Sequence, residues 1–262
     1  MPMPRMLAGL ALCAGLLTGA PTLAQTATAA QSVPAAEAAA IRKAMETKFP
    51  GMEIRQIARA PFPGLFEVVL ADQIIYTDAK TSYIFVGSIF DTKDKTNLTE
   101  ERNRQLNRVA FDSLPLNLAM RKVKGNGQRR LAVFSDADCP YCARLETELK
   151  DIDNVTIYTF LFPIPDLHPD ATRKSKQIWC SPEPQKAWDE FFATKKLPDN
   201  KGDCPTPVAE LAALGEKLRV SATPTLVFAD GTVIPGALPA ARLETELAKA
   251  QAELTKAAAA KK

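Results

Sequence analysis

An apolar run at 131–134 leads, after a short polar stretch, into Cys139-Pro140-Tyr141-Cys142 and then an amphipathic segment at 141–150 with Cys142, Leu145 and Leu149 on one face. That pattern predicts a strand feeding directly into a helix, with Cys139 at the helix N-cap and Pro140 at the first helical position, where a missing N–H costs nothing. Unsatisfied backbone N–H groups and the positive end of the helix macrodipole favour a thiolate over a thiol there. Cys139 is therefore the expected attacking sulfur. Cys142, one turn in and on the buried face, is within disulfide reach but shielded, which suits a resolving thiol. Asp136 and Asp138 lie just before the motif and would oppose thiolate formation if they faced the sulfur.

Composition narrows the chemistry to these thiols. The 262 residues are 46% hydrophobic and 24% charged, ordinary for one large or two modest globular domains. A net charge of +3 is far from the basic excess of a nucleic-acid binder, so no nucleic-acid partner is expected. The single histidine, His168, excludes a multi-histidine metal centre, and neither a metal nor a cofactor is expected. Residues 1–24 read as a secretory signal peptide: Arg5 supplies the positive region, 6–17 an apolar core, and Thr22-Leu23-Ala24 a small-residue cleavage site. Cys13 lies inside that apolar core, and Leu12 is bulky where a lipidation signal wants a small residue. Cleavage would leave Cys139, Cys142, Cys180 and Cys204, an even number that reads as two disulfides in an oxidising compartment. Two other readings of the motif are half of a zinc site and a merely structural disulfide. The first lacks a second Cys-x-x-Cys pair, and the second would be unusual at a helix N-terminus.

Three textures follow one another along the chain, giving an α+β protein. Residues 25–96 show a helix at 35–49 and β-forming runs at 54–58, 65–70, 73–77 and 83–89, a small α+β unit with a meander-like sheet. Residues 97–124 turn helical, and Asn97 with Glu100 three positions on fits a helix start. Pro115 should end or kink that helix, and the stretch reads as a helical linker. From 125 to 262 the expected order is strand 131–134, helix 141–150, strand 155–162, helices at 171–179, 185–194 and 206–218, a hairpin of 225–229 with 233–235, and a helix from 239. That is the thioredoxin order with a helical insertion.

The residues Phe134-Ser135-Asp136-Ala137-Asp138-Cys139-Pro140-Tyr141-Cys142-Ala143-Arg144-Leu145-Glu146 carry a family resemblance, together with Leu114-Pro115-Leu116, Val123-Lys124-Gly125-Asn126-Gly127, Ile178-Trp179-Cys180 and Ala222-Thr223-Pro224. The chain resembles the DsbC/DsbG family of bacterial periplasmic disulfide isomerases. The resemblance implies an N-terminal dimerisation domain, a helical linker and a C-terminal thioredoxin-fold catalytic domain, assembled as a V-shaped homodimer in the periplasm. It implies that Cys139 and Cys142 are the redox pair and that Pro140, Tyr141, Thr223 and Pro224 meet the substrate, with Pro224 in a cis-proline loop facing the motif. It further implies that misfolded disulfide-containing exported proteins are the substrates and that a membrane reductase of the DsbD type is a partner. The Pro-Tyr dipeptide is similar to that of DsbG, whereas Cys180 and Cys204 resemble the additional structural disulfide of DsbC, so the chain leans to the DsbC type.

Two rivals to an isomerase remain at this point: a DsbG-like reductase or oxidase, and a holdase chaperone in which the thiols are incidental. His168, in a proline-rich loop, is expected to be a solvated loop histidine. Trp179 and Trp188 are expected to serve packing. Asn97-Leu98-Thr99 matches a glycosylation acceptor, discounted for a bacterial-type exported chain.

Overall fold

A computed structural model describes residues 32–71 and 73–260. The expected signal peptide and Cys13 lie outside the described residues. The chain divides into two compact units, Met1–Gly87 and Ser88–Lys262.

In the first unit, helix α1 (Ala35–Lys48) precedes four strands, β1 (Gln56–Arg59), β2 (Leu65–Val69), β3 (Ile74–Asp78) and β4 (Ile84–Val86). They pair in chain order and antiparallel throughout, the expected meander. Ile41 and Met45 of α1, one helical turn apart, are buried with Ile54, Phe66, Val68 and Ile75. The turn into β4 is set by Asp78, whose carboxylate accepts the backbone N–H groups of Lys80, Ser82 and Tyr83. The last strand is shorter than the run at 83–89, with Phe85 and Val86 exposed on it and Tyr83 exposed just before it.

The second unit starts earlier than Asn97. Leu98 N–H donates to Ile89 O at 2.9 Å, and Ile89 N–H donates to the Thr99 hydroxyl at 2.9 Å, so the loop after Gly87 belongs with α2 (Leu98–Leu106). Asn97 caps that helix as expected, its Oδ1 accepting from Glu100 N–H at 3.0 Å. The expected helical linker over 97–124 needs correction. The helix stops at Leu106, well short of Pro115, and Val109 N–H instead reaches Gly231 O at 2.9 Å. Two single turns of 3-10 helix follow, at Phe111–Ser113 and Leu116–Leu118, and then strand β5 (Met120–Lys124). Phe111, Leu114 and Met120 are buried in the main core, so this stretch is part of the domain and not a stalk. Gly231 takes a φ of +91°, and a Cβ there would lie 2.6 Å from Val109 O, so the close approach requires glycine.

The remaining elements are β6 (Arg129–Ser135), α3 (Pro140–Glu148), β7 (Val155–Leu161), α4 (Ala171–Trp179), α5 (Pro184–Thr194), α6 (Val208–Leu218), β8 (Thr225–Phe228), β9 (Val233–Pro235) and α7 (Ala240–Ala259). The sheet order is β5-β7-β6-β8-β9, with β6 and β7 parallel and every other pair antiparallel. Strand β6 is central and buried on both faces, which explains its unbroken apolar run. Leu131 and Val133 point to one layer with Leu145 and Leu149 from the α3 side and Leu243 and Leu247 of α7. Ala132 and Phe134 point to the other, with Ile178, Trp188, Phe191 and Leu211 of the helical insertion. Trp188 is fully buried and its indole N–H donates to Glu146 Oε1 at 2.8 Å, the packing role expected of it. Trp179 is half-buried against the same layer. Burial pushes the Glu146 carboxyl up, and the indole bond opposes that shift. Among the described residues no helix is long and apolar enough to cross a membrane.

Candidate functional site

The end of β6 delivers the chain to the motif. Cys139 is the N-cap of α3 in extended conformation, and Pro140 opens the helix, as its fixed φ and absent N–H require. Cys139 and Cys142 are free thiols, 4% and 0% exposed respectively. Pro140 and Tyr141 face outward, Tyr141 with 62% exposure. Across from the motif, Cys139 Sγ donates to Thr223 O at 3.2 Å. The Thr223–Pro224 bond is cis. Thr225 starts β8 immediately afterwards and anchors the loop through its hydroxyl, which donates to Ala222 O at 2.7 Å. The structure thus brings Cys139, Cys142, Thr223 and Pro224 together.

The two sulfurs sit in different surroundings. Cys139 is at the helix end, against a backbone carbonyl. Cys142 is sealed in, and its sulfur accepts the Asp136 N–H at 3.4 Å. Burial pushes the Cys142 thiol up to about 12, against the opposing pull of the Asp136 N–H. A resolving thiol held in its neutral form is protected until a disulfide forms beside it.

The acids before the motif are both engaged elsewhere. Asp136, fully buried, accepts from Asp138 N–H and Ile164 N–H, each at 2.8 Å, and its Oδ2 lies 2.9 Å from His168 Nδ1. Asp138 pairs with Lys174 of α4. His168 is therefore not the solvated loop histidine expected from its proline-rich segment. It is the partner of a buried carboxylate three residues before Cys139, and its side chain is only 19% exposed. Sequence reasoning missed this pair because it joins residues 32 positions apart. The available signal was the coincidence of one histidine with an acid next to the cysteines. Through Asp136 the loop after β7 is tied to the loop that carries the motif.

Cys180 and Cys204 form a disulfide that ties the end of α4 to the segment before α6, with Cα atoms 5.7 Å apart. The pairing implied by the family resemblance is the one present, and it stands apart from the free thiols. Among the described residues no group of three or more His, Cys, Asp or Glu side chains is placed to hold a metal ion.

A family model described as a thioredoxin-like domain matches residues 116–251, and one described as the disulfide bond isomerase protein N-terminal domain matches residues 31–100. The "Probable thiol:disulfide interchange protein DsbC" of Bordetella parapertussis is 40% identical over 211 residues, covering 80% of this chain and 74% of that protein. The chain belongs to the DsbC family of thiol:disulfide interchange proteins. DsbC of Escherichia coli K12 is 28% identical over 194 residues, covering 72% of this chain and 79% of that protein. Among solved structures, the disulfide interchange protein from Neisseria gonorrhoeae is 44% identical, with a TM-score of 0.51, and covers 53% of this chain and 99% of its own. The DsbC family match accounts for both the N-terminal unit and the thioredoxin-like unit, and it places the chain among enzymes of thiol:disulfide interchange.

Proposed function

We propose that this DsbC-family chain is an exported disulfide isomerase that works in the periplasm as a homodimer. The observation that carries the reading is the asymmetry of the motif: one sulfur at a helix N-terminus against the cis-proline loop, the other fully buried one turn further in. The Cys139 thiolate attacks one sulfur of a non-native disulfide in a misfolded exported protein. A mixed disulfide forms, and the freed substrate sulfur leaves as a thiolate. That thiolate attacks elsewhere in the substrate, and a final substrate thiolate displaces Cys139, so no net electrons are transferred. If rearrangement stalls, Cys142 displaces the substrate. The enzyme is then oxidised by two electrons and the substrate disulfide reduced by two. A membrane reductase of the DsbD type would return the pair to the dithiol.

Pro140, Tyr141, Thr223 and Pro224 form the rim that an extended substrate would meet. Pro140 and Tyr141 are outward-facing, and the Thr223 carbonyl already points at the attacking sulfur.

Homodimer formation is assigned to the first unit. It contains no cysteine among residues 32–87, and it ends in a sheet edge at β4 with Phe85 50% and Val86 72% exposed. Such an edge offers unpaired backbone groups to a second copy. Light scattering on the processed chain should give twice the monomer mass, and Val86→Lys should shift it toward the monomer while leaving the alkylation rate of Cys139 unchanged. A monomeric wild-type chain that rearranges scrambled disulfides at full rate would overturn the dimer assignment.

A further inference from the structure

Ser135 is the last residue of β6, and it is 1% exposed. Its backbone carbonyl is used, accepting from Phe162 N–H at 2.8 Å. Its hydroxyl is sealed from solvent and makes no hydrogen bond in the structure. Buried polar groups are rarely left so, and each exception asks for a reason. By strand alternation the Ser135 side chain shares the face of Leu131 and Val133, which packs against α3, and the buried face of α3 carries Cys142 one turn before Leu145. The Cys142 sulfur already accepts the backbone N–H of the residue after Ser135, Asp136, at 3.4 Å.

We propose that Ser135 is a catalytic residue of the resolving step, its hydroxyl and the Asp136 N–H forming a two-donor cradle for the Cys142 thiolate. The inference rests on the interchange chemistry proposed above and assigns a residue to its escape branch. In that branch Cys142 gives up its proton and its sulfur attacks the Cys139 sulfur of the mixed disulfide. The bond from Cys139 to the substrate breaks, and the substrate sulfur leaves as a thiolate that takes up a proton. In the reverse direction an external dithiol attacks the Cys139 sulfur of the enzyme disulfide, and Cys142 leaves as the thiolate. Both directions place negative charge on the same buried atom, where a preorganised donor acts only as the charge develops. A neutral thiol makes no such demand, which accounts for an idle hydroxyl in the dithiol state.

The other groups around this sulfur do not supply the donor. Cys139 adds a charge of the same sign when ionised. The Asp136 carboxylate is turned to Asp138 N–H, Ile164 N–H and His168, and Asp138 is held by Lys174. The hydroxyl therefore sets how fast escape competes with rearrangement, and with it how long a substrate has to find its native pairing. Because Cys142 must lose a proton before it attacks, escape accelerates with rising pH across the neutral range. Loss of the hydroxyl moves that profile to higher pH.

The test uses the full chain, with glutathione disulfide as the probe. Stopped reactions separate formation of the Cys139–glutathione mixed disulfide from release of glutathione by Cys142. Ser135→Ala is expected to slow release by about tenfold or more, the usual effect of one hydrogen bond to a charged group, while leaving the attack by Cys139 at its wild-type rate. Ser135→Thr, which keeps the hydroxyl on a strand-compatible side chain, should restore release. Melting temperatures control for folding, and removing a hydroxyl without a partner should leave them near wild type. Release within twofold of wild type in Ser135→Ala, equal slowing of attack and release, or no rescue by threonine would each overturn the proposal. Absence of any adduct at Cys139 in the wild-type chain would remove the interchange reading itself and this inference with it, a result distinct from normal attack followed by unchanged release.

Discussion

Cys142→Ser is expected to accumulate covalent adducts with substrate proteins through Cys139, and Cys139→Ser to form none. The asymmetry follows from position. Cys139 caps α3 at the start of the helix, and its sulfur borders the Thr223 carbonyl in the cis-proline loop. Cys142 is fully buried, and burial pushes its thiol up to about 12, so it meets a partner only through Cys139. Serine at position 139 removes the one nucleophile at the site, and exchange should fall at least ~10³-fold, as when other enzymes lose a covalent nucleophile. Serine at 142 leaves attack intact but closes the escape route. Mass spectrometry of chains recovered under acid quench reads both outcomes. Adducts in neither variant, or adducts through Cys142 in the Cys139→Ser chain, would reverse the assignments of attacking and resolving sulfur.

The second large effect is on stability, at Asp136. Its carboxylate is fully buried and serves Asp138 N–H, Ile164 N–H and His168 at once. Asp136→Ala leaves two backbone N–H groups and His168 without their acceptor at a site mostly shielded from water. At about 1–3 kcal/mol for each donor left unsatisfied, the loss of folding stability should be about 3–5 kcal/mol. His168→Ala removes only one of three donors, at a position still partly open to solvent, and should cost about 1–2 kcal/mol. Denaturant titration of the reduced chains separates them, with a lower midpoint and an unchanged slope for Asp136→Ala. A midpoint for Asp136→Ala equal to that of His168→Ala would show that the backbone bonds to Asp136 contribute little.

What could be read from the sequence was what short stretches decide alone. Cys139 as N-cap, Pro140 at the first helical position and Asn97 capping α2 are each set by neighbours within one turn, and all three stand as expected. The long apolar strands and the helical insertion were legible because burial writes a period into the sequence. Strand β5 was not, because its half-exposed residues acquire a conformation only by pairing with β7, more than thirty residues on. Helical spacing in the preceding residues was strong enough to overrun it. The start of the second unit was hidden for the same reason, since the loop after Gly87 is committed by bonds to Ile89 and Thr99 and not by composition. At the site, the cysteines announced themselves, whereas the Asp136–His168 pair and the idle Ser135 hydroxyl depend on which way side chains turn at the end of β6.

The central claim is that this chain rearranges disulfides through Cys139. Its most direct test is the recovery of native activity by a scrambled protein with several non-native disulfides, incubated with catalytic amounts of the reduced chain and no other oxidant or reductant. The account predicts that the wild-type chain restores activity over many turnovers and that Cys139→Ser restores none above the uncatalysed rate. Recovery with Cys139→Ser at the wild-type rate would contradict it, because the chain would then act by binding unfolded segments and not by thiol chemistry.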